Sequence, residues 1–222
     1  MRGHTQAFTT VSGSWTVPAV NCAGAGAHSQ SADWIGLGGD SEASAGLEQT
    51  GTDSDCVNGR PHFYAWYELI PAQSVAFEMT IRPGDLIVAY THVEGHEVTL
   101  RLVDLTRRER RVIHRNAPSV DVSSAEWIVE APQECNASAT RCKIVRLADF
   151  GTMSFHWAAA SADGNSGPIG SPFWHADSLE LQQSVGSGSR SDAISARPAP
   201  RTSARGGFSV RWVGTRPTPV LG

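Results

Sequence analysis

Glu97-Val98-Thr99-Leu100-Arg101-Leu102-Val103-Asp104 decides the fold class. Val98, Leu100 and Leu102 recur at every second position, with Glu97, Thr99 and Arg101 between them. Successive side chains of a strand point to opposite faces, so this run reads as a half-buried β-strand. The pattern continues in both directions. Upstream, Leu86 to His92 reads as a strand that turns at Glu94-Gly95-His96. Before it, Val75 to Ile81 alternates and leads into the turn Arg82-Pro83-Gly84-Asp85. Downstream, Thr106 to Arg108 turns into Arg111 to His114, and strand signals return in Ile144 to Phe150, Met153 to Ala159, Ser178 to Gln182 and Phe208 to Trp212. Period-two runs at roughly ten-residue spacing are the pattern of an antiparallel β-sandwich. No stretch shows convincing helical periodicity, so the chain reads as all-β.

The bulk properties narrow the class further. A chain of 222 residues fits one large all-β domain as readily as two small ones, and it can bury a core without metal or disulfide staples. Hydrophobic residues make up 40% of it, which separates it from disordered chains. The net charge of −4 speaks against a nucleic-acid or anionic-membrane partner. No apolar run reaches the length of a membrane-spanning helix. Met1 to Phe8 carries no signal-peptide core, so a secreted form needs a leader beyond this stretch, and an intracellular location is the other reading.

The cysteines are even in number: Cys22, Cys56, Cys135 and Cys142. Cys135 and Cys142 bracket a short polar loop, which suits a disulfide closing a hairpin and leaves Cys22 with Cys56. Disulfides favour an extracellular location, whereas four free thiols would fit the cytosol. No metal site is expected: there is no Cys-x-x-Cys, and His92-Val93-Glu94-Gly95-His96 has the wrong order and falls in a turn. No Gly-x-Ser-x-Gly elbow offers a serine nucleophile. Asn136-Ala137-Ser138 is a glycosylation sequon. The expected organisation is one domain over 1–222, with an N-terminal extension at 1–10, a mobile loop at 186–206 and a tail at 214–222.

Chemistry concentrates in two segments. Ala125-Glu126-Trp127-Ile128-Val129-Glu130 alternates so that Glu126, Ile128 and Glu130 share one face, while Trp127 and Val129 suit the core. The two carboxylates lie about 13 Å apart along the strand, too far for a shared-proton dyad or a glycosidase pair. A catalytic partner must therefore come from elsewhere. The second segment is Leu47-Glu48-Gln49-Thr50-Gly51, with Asp53 just beyond it. Aromatic residues cluster in Tyr64-Ala65-Trp66-Tyr67-Glu68, and Trp15 and Trp34 each stand beside glycines.

These pieces occur in an order that closely resembles the glutamic peptidase family, the pepstatin-insensitive acid endopeptidases also called eqolisins. The matching segments are Ser14-Trp15-Thr16-Val17-Pro18, Trp34-Ile35-Gly36-Leu37-Gly38, Leu47-Glu48-Gln49-Thr50-Gly51, Ala65-Trp66-Tyr67-Glu68, Ala125 to Glu130, and Leu147-Ala148-Asp149-Phe150-Gly151. Gly207 to Trp212 fits the family's last strand. The resemblance implies a concanavalin-like jelly roll, a sandwich of two long curved antiparallel sheets with a substrate cleft on one face. It puts the catalytic pair on Gln49 and Glu130, with Glu126 in support and Asp53 near the dyad. Trp15, Trp34, Asp53 and Glu68 are then expected to line the cleft. It also implies polypeptide substrates, no cofactor, no nucleic-acid or membrane partner, a monomer and secretion. The chain departs from the fungal pattern at Gly38, where an Asp is usual and Asp40 is a possible substitute, and at Ala131, where an Asp often follows the catalytic Glu.

Two other functions fit the residues without the resemblance. One is a non-catalytic sandwich that binds glycan or peptide on an aromatic face. The other is a carbohydrate hydrolase using Glu126 or Glu130, which would not depend on Gln49.

Overall fold

The computed structural model describes residues 6–23, 28–40, 44, 46–135, 142–184, 192–199 and 206–214. Every regular element among them is a β-strand. In chain order these are β1 (Phe8–Thr16), β2 (His28–Ser29), β3 (Ala32–Gly38), β4 (Leu47–Val57), β5 (Arg60–Leu69), β6 (Val75–Ala76), β7 (Leu86–Glu94), β8 (Glu97–Asp104) and β9 (Glu109–Asn116). They continue with β10 (Ala125–Glu130), β11 (Gln133–Cys135), β12 (Cys142–Ile144), β13 (Thr152–Ala162), β14 (Asn165–Pro168), β15 (Leu181–Ser184), β16 (Asp192–Pro198) and β17 (Phe208–Trp212).

The strands form two principal antiparallel sheets. The larger runs β15-β16-β17-β13-β1-β7-β8-β9, with β14 paired to β13. The smaller runs β10-β3-β4-β5-β6, with β2 paired to β4. β7 and β8 bury one face because their apolar residues keep the two-residue period, whereas β3 and β4 are buried on both faces. The inner faces meet in one core that includes Trp15, Ile35, Leu37, Ile87, Leu100 and Phe155. Each such side chain contributes roughly 1.5–3 kcal/mol of burial. Trp15 ties the layers together: its ring meets Phe155 edge-on at 5.7 Å, and its indole N–H donates to Thr52 Oγ1 at 2.9 Å in the opposite sheet.

Several boundaries differ from the sequence reading. The run Val75 to Ile81 supplies only the short β6; the chain then turns, with the Met79 amide donating to the Phe77 carbonyl. Phe77 and Ile81 are still buried, so their apolar character reflects core plugs in an irregular segment. The run Ile144 to Phe150 leaves regular structure after Ile144 and makes a single parallel bridge, Leu147 with Gln30. Residues 186–206, expected as a loop, contain β16, which pairs with both β15 and β17. Its Ala196 is buried, and its strand character was hidden by a Ser- and Arg-rich composition. The expected extension at 1–10 overlaps β1, which starts at Phe8.

Cys22 and Cys56 form a disulfide. Cys135 and Cys142 stand directly opposite each other in the β11–β12 ladder. Their side chains, and the Asn136 sequon between them, lie outside the described residues.

Candidate active site

Register places the site on the outer face of the smaller sheet. Glu126 pairs with Gly36, Gly36 with Gln49, and Gln49 with Glu68. The next row is Ile128, Trp34, Gly51 and Trp66; the third is Glu130, Ala32, Asp53 and Tyr64. Directly opposed residues share a face, so four strands bring Glu126, Glu130, Trp34, Gln49, Asp53 and Glu68 onto one surface. The order of these strands does not follow the sequence, because β10 joins the edge beside β3.

Glycines make room on this face. A Cβ at Gly51 would stand 2.3 Å from the Asp33 carbonyl oxygen and 2.6 Å from Trp34 Cβ. No side chain fits there, and the close approach of β3 to β4 requires the glycine.

Each polar group of the site has a specific holder. Gln49, 4% exposed, donates from Nε2 to Glu68 Oε2 at 2.6 Å, while its Oε1 is buried without a partner. The Trp34 indole N–H donates to Glu130 Oε1 at 2.9 Å. Asp53 accepts from the Tyr64 hydroxyl at 2.7 Å and from the Trp66 indole N–H at 2.5 Å. Ser124 Oγ donates to Glu126 Oε1 at 3.1 Å. Gln49 and Glu130 share no hydrogen bond. Their backbones are two strands apart and offset by four residues in register, about 10 Å across and about 13 Å along.

Burial dominates the electrostatics. It pushes Glu130 up to about 7, opposed by the Trp34 hydrogen bond and reinforced by the charges of Asp53 and Glu68. Burial raises Glu126 to about 7 as well, with Asp40 and Glu130 adding to the effect. Asp53 rises to about 6 from burial, against the hydrogen bonds from Tyr64 and Trp66. Glu68 is raised by the same cause, with the Gln49 amide opposing. The face therefore holds protons well above the ordinary carboxylate range.

One expected cleft residue is corrected. Trp15 is 0% exposed and lies in the core on the inner side of the sheets, so it has no surface to offer a substrate. The sequence signal was its glycine neighbour, but Gly13 serves packing: a Cβ there would stand 3.0 Å from Trp127. Glu68 is on the expected face, where it holds the Gln49 amide.

Tyr64 and Trp66 were read only as an aromatic cluster. Their two-residue spacing, matched to Asp53 and Gly51 across the ladder, is the signal that places them at the site. At Gly38 a positive φ of 79° and a Cβ 2.5 Å from Asp121 Cβ exclude any side chain. Asp121 fills that ground, held by Ser44 Oγ and by the Gly39 and Ser123 amides, whereas Asp40 lies exposed. Ala131 is buried in the core.

The Peptidase A4 family model matches residues 1–191. The chain belongs to the Peptidase A4 family. Among curated members, scytalidopepsin B of Scytalidium lignicola is 30% identical over 165 residues, covering 72% of this chain and 61% of its own length. Aspergillopepsin-2 of Aspergillus niger is 29% identical over 181 residues, covering 72% of this chain and 62% of its own. The chain thus spans about three fifths of the length of these curated relatives. Among solved structures, scytalido-glutamic peptidase with a transition state analog inhibitor superposes with a TM-score of 0.77 at 23% identity, covering 93% of each chain. That likeness identifies the fold of this Peptidase A4 member as the one seen in the fungal structure.

Proposed function

We propose that this chain is an acid-acting endopeptidase that hydrolyses peptide bonds with Gln49 and Glu130. The observation that carries the reading is a neutral amide and a proton-holding carboxylate on one sheet face, each fixed by its own partner. The names of the fungal relatives agree with it.

In this mechanism ionised Glu130 takes a proton from a water lying between it and the scissile carbonyl. The hydroxide attacks the carbonyl carbon, and the oxygen gains charge. Gln49 has two amide hydrogens; Glu68 holds one, and the other is free to stabilise that oxyanion. Protonated Glu130 then returns the proton to the departing nitrogen as the C–N bond breaks. A donor of this kind contributes roughly 2.7–4 kcal/mol to the barrier.

Burial modifies the acid operation read from the sequence. An exposed Glu titrates near 4.3, but Glu130 is held near 7. The rising limb of activity then belongs to the coupled carboxylates of the face and extends into mildly acidic pH. Secretion fits the Cys22–Cys56 disulfide, and a single chain carries the whole pair.

The test is digestion of a denatured protein between pH 3 and 7, with pepstatin and a chelator present. Cleavage that disappears in Gln49→Ala supports the reading; no cleavage anywhere in that range rejects it. A second assignment has a specific basis, since Glu126 shares the Gln49 row with only Gly36 between them. Under that assignment Glu126→Gln, rather than Glu130→Gln, removes turnover.

A further inference from the structure

β10 carries Glu126 and Glu130, and it is also the edge of its sheet. The Gly38 amide donates to the Ser124 carbonyl, which fixes the parity of the β10–β3 ladder. Ser124, Glu126, Ile128 and Glu130 direct their backbone groups toward β3. Ala125, Trp127 and Val129 therefore direct theirs outward, where no strand among the described residues pairs with them.

That edge borders a groove of about 900 Å³, near the upper end of the roughly 300–1,000 Å³ usual for ligand sites. Beneath it lie Ala160, Phe208 and Val210, from the larger sheet where it extends past β10. Trp174 and the segment 175–181 line the groove too. Among the described residues the second layer of the sandwich is one strand short at this place. Glu126, Glu130, Asp177 and Glu180 also line the groove, Asp177 beside His175 and Glu180 paired with Arg197, and among the described residues no lysine or arginine lines it. Trp34 and Glu130 line it as well, so it is continuous with the candidate active site.

We propose that an extended polypeptide binds here as an added strand on the β10 edge, with apolar side chains on the groove floor and basic side chains between them facing Glu126 and Glu130. Only a peptide backbone matches three outward N–H and C=O pairs at strand spacing, and an unpaired edge is a template for such pairing. Alternate side chains of the added strand fall on opposite faces, as in β10 itself. That the bound polypeptide is the substrate rests on the peptidase reading; the binding mode does not.

The experiment uses the Gln49→Ala chain and the probe acetyl-Lys-Leu-Lys-Leu-Lys-Leu-amide. Amide hydrogen exchange is followed residue by residue. Without peptide, the Ala125, Trp127 and Val129 amides should exchange fast while those of Glu126, Ile128 and Glu130 are protected. Saturating peptide should protect the first three. N-methylation of the peptide amides along one edge should weaken binding about tenfold, and along the other edge should leave it unchanged. Absence of binding, no new protection at the three amides, or equal effects of the two methylation series would overturn the proposal. Protection at the edge together with no cleavage by the unsubstituted chain would reject the peptidase reading and leave this one standing.

Discussion

The two faces of the smaller sheet both bury carboxylates, but they treat them differently. On the outer face Glu130, Asp53 and Glu68 each meet a neutral donor from Trp34, Tyr64, Trp66 or Gln49. On the inner face Asp33 and Glu48 are 0% exposed; neither Asp33 oxygen has a hydrogen-bond partner, and Glu48 has only backbone amides, that of Asp121 among them, to oppose its burial. Burial raises Asp33 well above its ordinary value and Glu48 to about 8. A buried carboxylate without a counter-charge stays protonated until its ionisation becomes less costly than keeping the proton. The outer acids are oriented for chemistry. The inner acids make the fold itself depend on protons.

The largest expected effect tests the outer face. Glu130→Gln keeps the size of the side chain and an acceptor for the Trp34 indole, but cannot take a proton. Turnover should fall at least about a thousandfold, with thermal stability at pH 4 unchanged. Gln49→Ala should cost about 10²–10³ in kcat. Either variant at normal turnover removes the contrast between the faces.

The next prediction concerns the buried acids of both faces, with the inner pair the most raised. The folded pKa values of Asp33, Glu48, Asp53, Glu126 and Glu130 all lie above their unfolded values. Between the two sets the folded state binds more protons, so stability falls as pH rises. The contribution is complete below about 4 and is lost as pH climbs through about 6 to 8. Thermal melts from pH 3 to 9 should show the highest Tm in acid. Glu48→Gln should flatten the neutral side, raising Tm at pH 8 by about 3 °C for each kcal/mol of ionisation cost removed. A melt profile that peaks at pH 8 would contradict this.

The smallest effect is expected at the holder of the amide. Glu68→Ala frees Gln49 to rotate and should lower kcat about tenfold with little change in KM. Glu68→Gln, which can still accept from the amide, should restore most of it. Equal loss in both variants would make Glu68 more than a positioning residue.

Much of the outer face was legible in the sequence because alternation is a direct projection of strand geometry. Glu126 and Glu130 share a face as their spacing requires, and β8 and β17 stand where Val98 to Leu102 and Phe208 to Trp212 place them. What sequence order hid was adjacency. That β10 lies beside β3, so that Trp34 reaches Glu130, depends on pairing across distant segments. The same register brings Tyr64 and Trp66 to Asp53. Trp15 was misplaced because a tryptophan beside glycines looks alike in a cleft and in a core. Asp33 and Glu48 gave no warning, since a carboxylate in a short strand reads as solvated until its neighbours are known.

The central claim is that Gln49 and Glu130 act on one carbonyl although their backbones lie on separate strands. The most direct measurement is kcat at about pH 6, where part of Glu130 is ionised, for Gln49→Ala, Glu130→Gln and the double variant on one peptide substrate. Groups that work as a unit are strongly non-additive. The account predicts that the double variant is no slower than Glu130→Gln alone, within about threefold. Losses that multiply would show two independent roles and contradict it.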